Sequence, residues 1–265
     1  MSKLPLLINW FKEHKGTVTA FSGGVDSSLV LYASKLALGD RAIGLISNSE
    51  SLKTKDFEIA VNFCKTHDIN LRVIKTDELN DPNYTANPAN RCFFCKTHLY
   101  EAMIDIIKVE YPEYTILNGT NQDDLGDYRP GLEAAKNNAI RSPLAELEIS
   151  KAEVIAMAGE LELETASKPP SPCLSSRIPY GTAVNKMRLK QIEEAEYILN
   201  QFGFENVRVR YLGEEASIEV PMSEMELLEH QFDVISRDIK ALGFSKVNID
   251  KEGFVSGKLN RVLHG

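Results

Sequence analysis

Apolar residues in the first half of the chain fall in short blocks, each followed by a longer stretch in which they recur at helical spacing. TVTAF (17–21), RAIGLIS (41–47), LRVIK (71–75) and TILNG (115–119) read as strands. The pattern predicts helices from Asp26 to Leu38, from about Lys53 to His67, from Arg91 to Glu110 and over 149–163. Short strands separated by helices of this length imply βαβ units and a parallel sheet, an α/β fold of Rossmann-like type. Ligands of such sheets sit at the carboxyl ends of the strands.

The pattern then changes. KPPSPCLSSRIPYGT (168–182) carries four prolines in fifteen residues, too many for helix interior or central strand. We expect a boundary there, with one domain over 1–167 and a smaller α+β domain over 168–265. In the second, MRLKQIEEAEYILNQFGF reads as a helix closed by glycine and VRVRYLGEEASIEV as a hairpin. SEMELLEHQFDVISRDIKALGF reads as another helix and KVNID as a last strand.

Composition narrows the function classes. Of 265 residues, 43% are hydrophobic and 26% charged, ordinary for a soluble globular chain. The net charge of -8 argues against nucleic acid as the main partner, because phosphate backbones demand a large positive field. No apolar run is long enough for a membrane span. The start, MSKLPLLINWFKEHKG, lacks the pattern of a secretory signal. A cytoplasmic protein is therefore expected. Four cysteines in a chain of this length make no disulfide framework.

FSGGVDSS (21–28) ends the first strand and opens the first long helix. Glycines let backbone approach phosphate oxygens, and N–H groups at a helix start point toward negative charge. Ser22, Ser27 and Ser28 add hydroxyls, and Asp26 could hold magnesium. The turn has no lysine and no G-K-[ST], so it is not a Walker A loop. Ser22-Gly23-Gly24-Val25-Asp26-Ser27 resembles the SGGxDS loop of the PP-loop ATP pyrophosphatases. That resemblance implies cleavage of ATP to AMP and pyrophosphate, with the loop on the pyrophosphate. LNGTNQDDLGDYRPG (117–131) follows the fourth strand and brings Asn118, Thr120, Asn121, Asp123, Asp124, Asp127 and Arg129 to the same sheet edge. Asn118, Thr120, Asp124 and Arg129 join the turn as candidate nucleotide ligands.

NRCFFCKTHLY, PSPCLSSRIPYG, VRVR and GFVSGKLN together resemble the LarE family over nearly the whole chain. The resemblance implies an ATP-dependent sulfur transferase of nickel-pincer cofactor biosynthesis. Such an enzyme adenylates the carboxylates of a pyridinium-3,5-dicarboxylate mononucleotide and converts them to thiocarboxylates. It also implies a homo-oligomer that works beside other proteins of that biosynthesis. Within the family, sulfur comes either from one sacrificial cysteine or from a [4Fe-4S] cluster held by three. Cys173 matches the single cysteine, and Cys92 and Cys95 match the added pair. Three thiolates leave one iron of a cubane open. A zinc site with His98 as fourth ligand, a redox pair and two buried thiols remain alternatives. Cys64, among apolar residues at helical spacing, reads as core.

Arg208 and Arg210 alternate on a strand and so share a face. With Arg177 they could clamp the phosphate and carboxylates of an anionic nucleotide, for which guanidinium forks are suited. The family resemblance adds Glu219 and Glu196, the latter with Glu193 and Glu194 as neighbours on the same helix. Arg261 is a further phosphate candidate. Two other classes stay open: another PP-loop enzyme, such as a tRNA thiolase or an amidating synthetase, and a non-enzymatic nucleotide or iron–sulfur sensor.

Overall fold

The computed structural model describes residues 2–126, 130–255 and 257–263. In chain order the helices of four or more residues and the strands are α1 (Leu4–Lys12), β1 (Thr17–Ala20), α2 (Val25–Leu38), β2 (Ala42–Ser47), α3 (Thr54–Thr66), β3 (Asn70–Ile74), α4 (Pro82–Thr85), α5 (Arg91–Glu110), β4 (Thr115–Leu117), α6 (Pro130–Asn137), α7 (Pro143–Glu146), α8 (Lys151–Glu160), α9 (Lys186–Gln201), β5 (Arg208–Leu212), β6 (Glu215–Glu219), α10 (Met225–Lys240) and β7 (Lys246–Ile249). They fall into two compact units. The first comprises Met1–Glu78 and Asn90–Ser171, and the second Leu79–Ala89 and Pro172–Gly265. The short excursion that carries α4 thus groups with the second unit, an association that hydrophobic pattern alone does not announce.

The first unit is a parallel sheet in the order β3-β2-β1-β4. Val18 and Ala20 of β1 and Ile43 and Leu45 of β2 pack on Tyr100, Met103 and Ile107 of α5. Phe21, Ile46 and Leu117 belong to a second cluster, with apolar residues of α1, α2, α3 and α8. Cover on both faces explains why β1 and β2 carry no charged residue and why even Thr17 and Thr19 are buried. The expected α/β parallel sheet is therefore present. Helix α1 was not foreseen; Leu4, Leu7 and Phe11 recur at i, i+3 and i+7 and are buried. Helix α8 begins at a capping box, with the Ser150 side chain on the Glu153 N–H and the Glu153 carboxylate returning to the Ser150 N–H. Among the described residues no helix is long and apolar enough to cross a membrane.

The second unit holds a three-stranded sheet, β5-β6-β7, antiparallel between β5 and β6 and parallel between β6 and β7. Val209, Tyr211, Ala216 and Ile218 are buried along the hairpin, as are Leu189, Ile192, Ala195 and Leu199 along α9. The alternation that buries Val209 and Tyr211 puts Arg208 and Arg210 on the opposite face. Both arginines are nevertheless buried. That combination marks the face as more than a solvated surface.

Candidate functional site

Two constellations emerge, one in each unit. In the first, β1 ends at Ala20 and the chain turns through Gly23 into α2. Gly23 adopts φ of 69°, a left-handed conformation that glycine tolerates at little cost. Gly24 occupies the N-cap position without a side-chain cap, so the first N–H groups of α2 keep their donor capacity. Ser22 and Ser27 hydroxyls lie 3.1 Å apart. Gly119, in the loop after β4, faces this helix start so closely that a Cβ there would stand 2.7 Å from the Ser27 nitrogen. The result is a cleft of about 270 Å³ lined by Ser22, Asp26 and Ser27, by Asn118, Gly119, Thr120 and Asp124, and by Lys96 and Tyr100 of α5.

The polar groups around the cleft are fixed by one another. Asn118 accepts the Thr120 N–H at 3.0 Å and the Ser142 hydroxyl at 2.8 Å. Asn121 donates to Asp26 Oδ1 at 2.9 Å, while its own Oδ1 accepts the N–H groups of Asp123 and Asp124. Lys151, at the start of α8, meets Asp26 Oδ2 at 2.5 Å. Val25 and Ser28 lie buried on the inner side of α2, and the Ser28 hydroxyl has no partner among the described residues. Arg129 and Asp127 lie outside the described residues.

In the second unit, Arg177 forks onto Glu196, with Nε at 2.7 Å from Oε1 and Nη2 at 3.2 Å from Oε2. Glu196 projects from α9 and also accepts the Val209 N–H at 3.1 Å. Because β5 is an edge strand, that N–H has no ladder partner there. Arg177 Nη1 donates to the Pro172 carbonyl at 2.9 Å and the Cys173 carbonyl at 3.4 Å, tying down the loop that bears the cysteine. Arg210 forks onto Glu219 at 2.9 and 3.0 Å and donates to the Ser176 carbonyl at 2.7 Å.

Arg208 differs. It is only 6% exposed, and its guanidinium makes no hydrogen bond or ion pair with any described residue. Its guanidinium lies over the Phe254 ring at 4.2 Å. Burial, then the neighbouring charges of Arg177 and Arg210, push its pKa down to about 10. Lys258 lies 3.5 Å from Glu219 and 2.5 Å from Asp250. Arg261 pairs with Glu252 at the surface.

The comparisons bear on both constellations. The NAD synthase family matches residues 10–87, the stretch containing the glycine turn. An uncharacterized protein of Synechocystis sp. is 40% identical over 99% of this chain and 98% of its own length. The pyridinium-3,5-bisthiocarboxylic acid mononucleotide synthase of Lactiplantibacillus plantarum is 33% identical over 99% of this chain and 95% of its own length. The chain belongs to the LarE family. An uncharacterized protein of Methanocaldococcus jannaschii is also 30% identical over 95% of the chain.

As a member of the LarE family the chain is read for its cysteines. Cys92 and Cys95 stand in the first turns of α5, one exposed and the other half-buried. Cys173 is also half-buried. Cys64 is buried in the first unit, and burial alone pushes its thiol up to about 12, as core packing would. Three accessible thiols suit an iron–sulfur cluster by donor chemistry. Among the described residues, however, no group of three or more His, Cys, Asp or Glu is arranged to hold a metal ion.

Other members of the two constellations escape the sequence reading. Lys96, Tyr100, Lys151, Lys168 and Asp56 come from helices and loops far along the chain from the turn. Only Gly119 and Asn121 carried a signal, their place in the loop after a parallel strand.

Proposed function

We propose that this chain is an ATP-dependent sulfur transferase. It adenylates the carboxylates of a pyridinium-3,5-dicarboxylate mononucleotide, exchanges each adenylate for sulfur and releases AMP and pyrophosphate. The observation that carries this reading is Arg208: a buried guanidinium without an anion partner among the described residues, in the same unit as the tethered Cys173 loop. The similarity to the Lactiplantibacillus synthase along the whole chain supports the same substrate class.

The chemistry follows from what a carboxylate lacks. Its leaving group would be oxide, so direct attack by sulfur fails. Attack of the carboxylate oxygen on the α-phosphorus of ATP breaks the bond to pyrophosphate and leaves an acyl adenylate. A sulfur nucleophile then adds at the acyl carbon, and AMP departs with the C–O electron pair. Ser22, Ser27 and the N–H groups at the start of α2 bind the pyrophosphate part, with Asn118, Thr120 and Asp124 at the facing loop. Asp26 is the carboxylate suited to magnesium, which would spread the charge of the phosphates; at Oδ2 it would replace the Lys151 ammonium. Arg177, Arg208 and Arg210 bind the substrate's phosphate and carboxylates, with Glu196 and Glu219 holding two of the forks in place.

Cys173 is the residue for sulfur delivery. A [4Fe-4S] cluster held by Cys92, Cys95 and Cys173 would supply a hydrosulfide, renewable from one turnover to the next. A second reading keeps Cys173 as the source without a cluster: Cys173 itself gives up its sulfur. There the Cβ–S bond breaks as the α-proton leaves, and the residue ends as dehydroalanine. The proposal further includes a cytoplasmic homo-oligomer, to be measured by sedimentation.

The test is made on protein purified without oxygen and reconstituted with iron and sulfide. Iron and acid-labile sulfide are counted in wild type and Cys92→Ala. About four of each per chain, lost in the variant, supports the cluster. Absence of iron with a mass loss of one H2S after turnover supports the sacrificial cysteine. Pyrophosphate release is then compared with the pyridinium nucleotide, tRNA and ammonia acceptors, in wild type and Asp26→Ala. Release with tRNA alone, or none with any acceptor, overturns the reading.

A further inference from the structure

Lys168 enters the KPPSPC segment, which hydrophobic pattern treats as a connection. Its ammonium lies 3.0 Å from the Gly23 carbonyl and 3.0 Å from Asp56 Oδ1. Asp56 is itself buried in the first turn of α3, and its other oxygen accepts the Ser171 hydroxyl at 2.5 Å. Two side chains four and one residues before Pro172 are thus anchored to the back of the anion-binding turn. None of the roles derived above uses them.

The geometry points to Lys168 as a positioning residue for that turn. A peptide between two glycines can rotate with little steric penalty, because neither side carries a Cβ. In a trans peptide the carbonyl and the N–H point in opposite directions. Lys168 holds the Gly23 carbonyl, so the Gly24 N–H is held the other way. There it donates to the Ser22 hydroxyl at 3.4 Å, and Ser22 lines the cleft. A rotated peptide would put a carbonyl oxygen where an anion must sit. The turn is backed as well by α3, since a Cβ on Gly23 would stand 3.1 Å from the Ala60 Cβ. Asp56 neutralises and aims the ammonium, and Pro169 and Pro170 stiffen the backbone that carries it. Neither polar partner of the Lys168 ammonium lines the cleft, so it acts through the peptide and not on the nucleotide.

This inference rests on the reading of the turn as the pyrophosphate site of ATP. Calorimetric titration with pyrophosphate and with AMP, separately, distinguishes the two. Wild type should bind both. Lys168→Met should bind pyrophosphate at least tenfold more weakly and AMP within twofold of wild type. Lys168→Arg should recover most of the pyrophosphate affinity. If Lys168→Met binds pyrophosphate as wild type does, the positioning role is overturned while the ATP reading stands. An equal loss for both ligands would indicate general loosening and also overturns it. Wild type that binds neither ligand removes the ATP reading and this inference with it. Should Lys168→Met not fold, Asp56→Asn releases the ammonium while keeping the shape. The same selective loss is expected, and an unchanged ratio of affinities refutes the role.

Discussion

Arg208 and Glu219 stand directly opposite each other in the β5–β6 ladder, yet they form no ion pair. Both oxygens of Glu219 are taken by Arg210, one step along on the same face. A fork–fork pair satisfies carboxylate geometry better than a single contact, so the diagonal neighbour wins over the opposite one. Arg208 is left buried near two other guanidinium groups, over the Phe254 ring and without an ion pair to any described residue. A buried positive charge without an ion pair is one that a bound anion would compensate.

Sulfate, whose charge does not change near neutrality, should therefore raise the melting temperature of wild type and have little effect on Arg208→Met. Without sulfate the variant should be more stable than wild type by ~1 kcal/mol or more, since an unpaired buried charge is gone. The pH sign follows from a folded pKa depressed to about 10, below the ordinary 12.5. The folded chain pays the full penalty of the charge below about 10 and is relieved of it as pH rises through that range. Protection by sulfate should be flat near neutral pH and fall as pH passes about 10. Thermal melts across pH, with and without sulfate, read both effects.

Glu196 is 4% exposed and Arg177 1%. Glu196→Ala leaves a buried guanidinium and the Val209 N–H without their acceptor, and should destabilise by ~3–5 kcal/mol. The double variant Arg177→Met, Glu196→Leu should recover most of that loss. Urea denaturation of the two single variants and the double variant measures the coupling. A near-neutral Glu196→Ala would show that the pair contributes little to the fold.

Gly119→Ala should impair both stability and ATP cleavage. The new methyl would lie 2.7 Å from the Ser27 nitrogen and 3.0 Å from the Asp26 carbonyl carbon. Overpacking of this kind costs ~1–3 kcal/mol, and a comparable displacement of the helix start would slow pyrophosphate release about tenfold. Gly126→Ala, where a Cβ meets no described atom within 4 Å, is the matched control and should behave as wild type in both assays.

The thiols should separate under alkylation at mildly alkaline pH. Cys64, 2% exposed and pushed up to about 12 by burial, should resist iodoacetamide until the chain unfolds. Exposed Cys92 should react readily. Peptide mass analysis after timed labelling gives the order. Early labelling of Cys64 would mean that its helix opens under native conditions.

The parallel sheet was legible because its evidence is local. β1 and β2 are buried on both faces and so carry no charged side chain, and the glycine turn must follow the first of them. The hairpin of β5 and β6 was equally open to reading, since alternation across a Gly-centred turn has few other solutions. Helix α1 was not, because its apolar stripe of Leu4, Leu7 and Phe11 sits in a helix of only nine residues. The grouping of Leu79–Ala89 with the second unit was likewise hidden in a polar loop.

The amino-acid order by itself determined the α/β class, the position of the glycine turn and the shared face of Arg208 and Arg210. Each follows from neighbours within a few residues and from the periods of strand and helix. Tertiary structure alone decided which charges meet. Lys151 reaches Asp26 across 125 residues, and Lys168 reaches Gly23 across 145. It also decided that Glu219 serves Arg210 and leaves the Arg208 guanidinium without an ion pair among the described residues. Those outcomes depend on ångström-scale distances and on loss of water around each group, quantities that spacing along the chain does not encode.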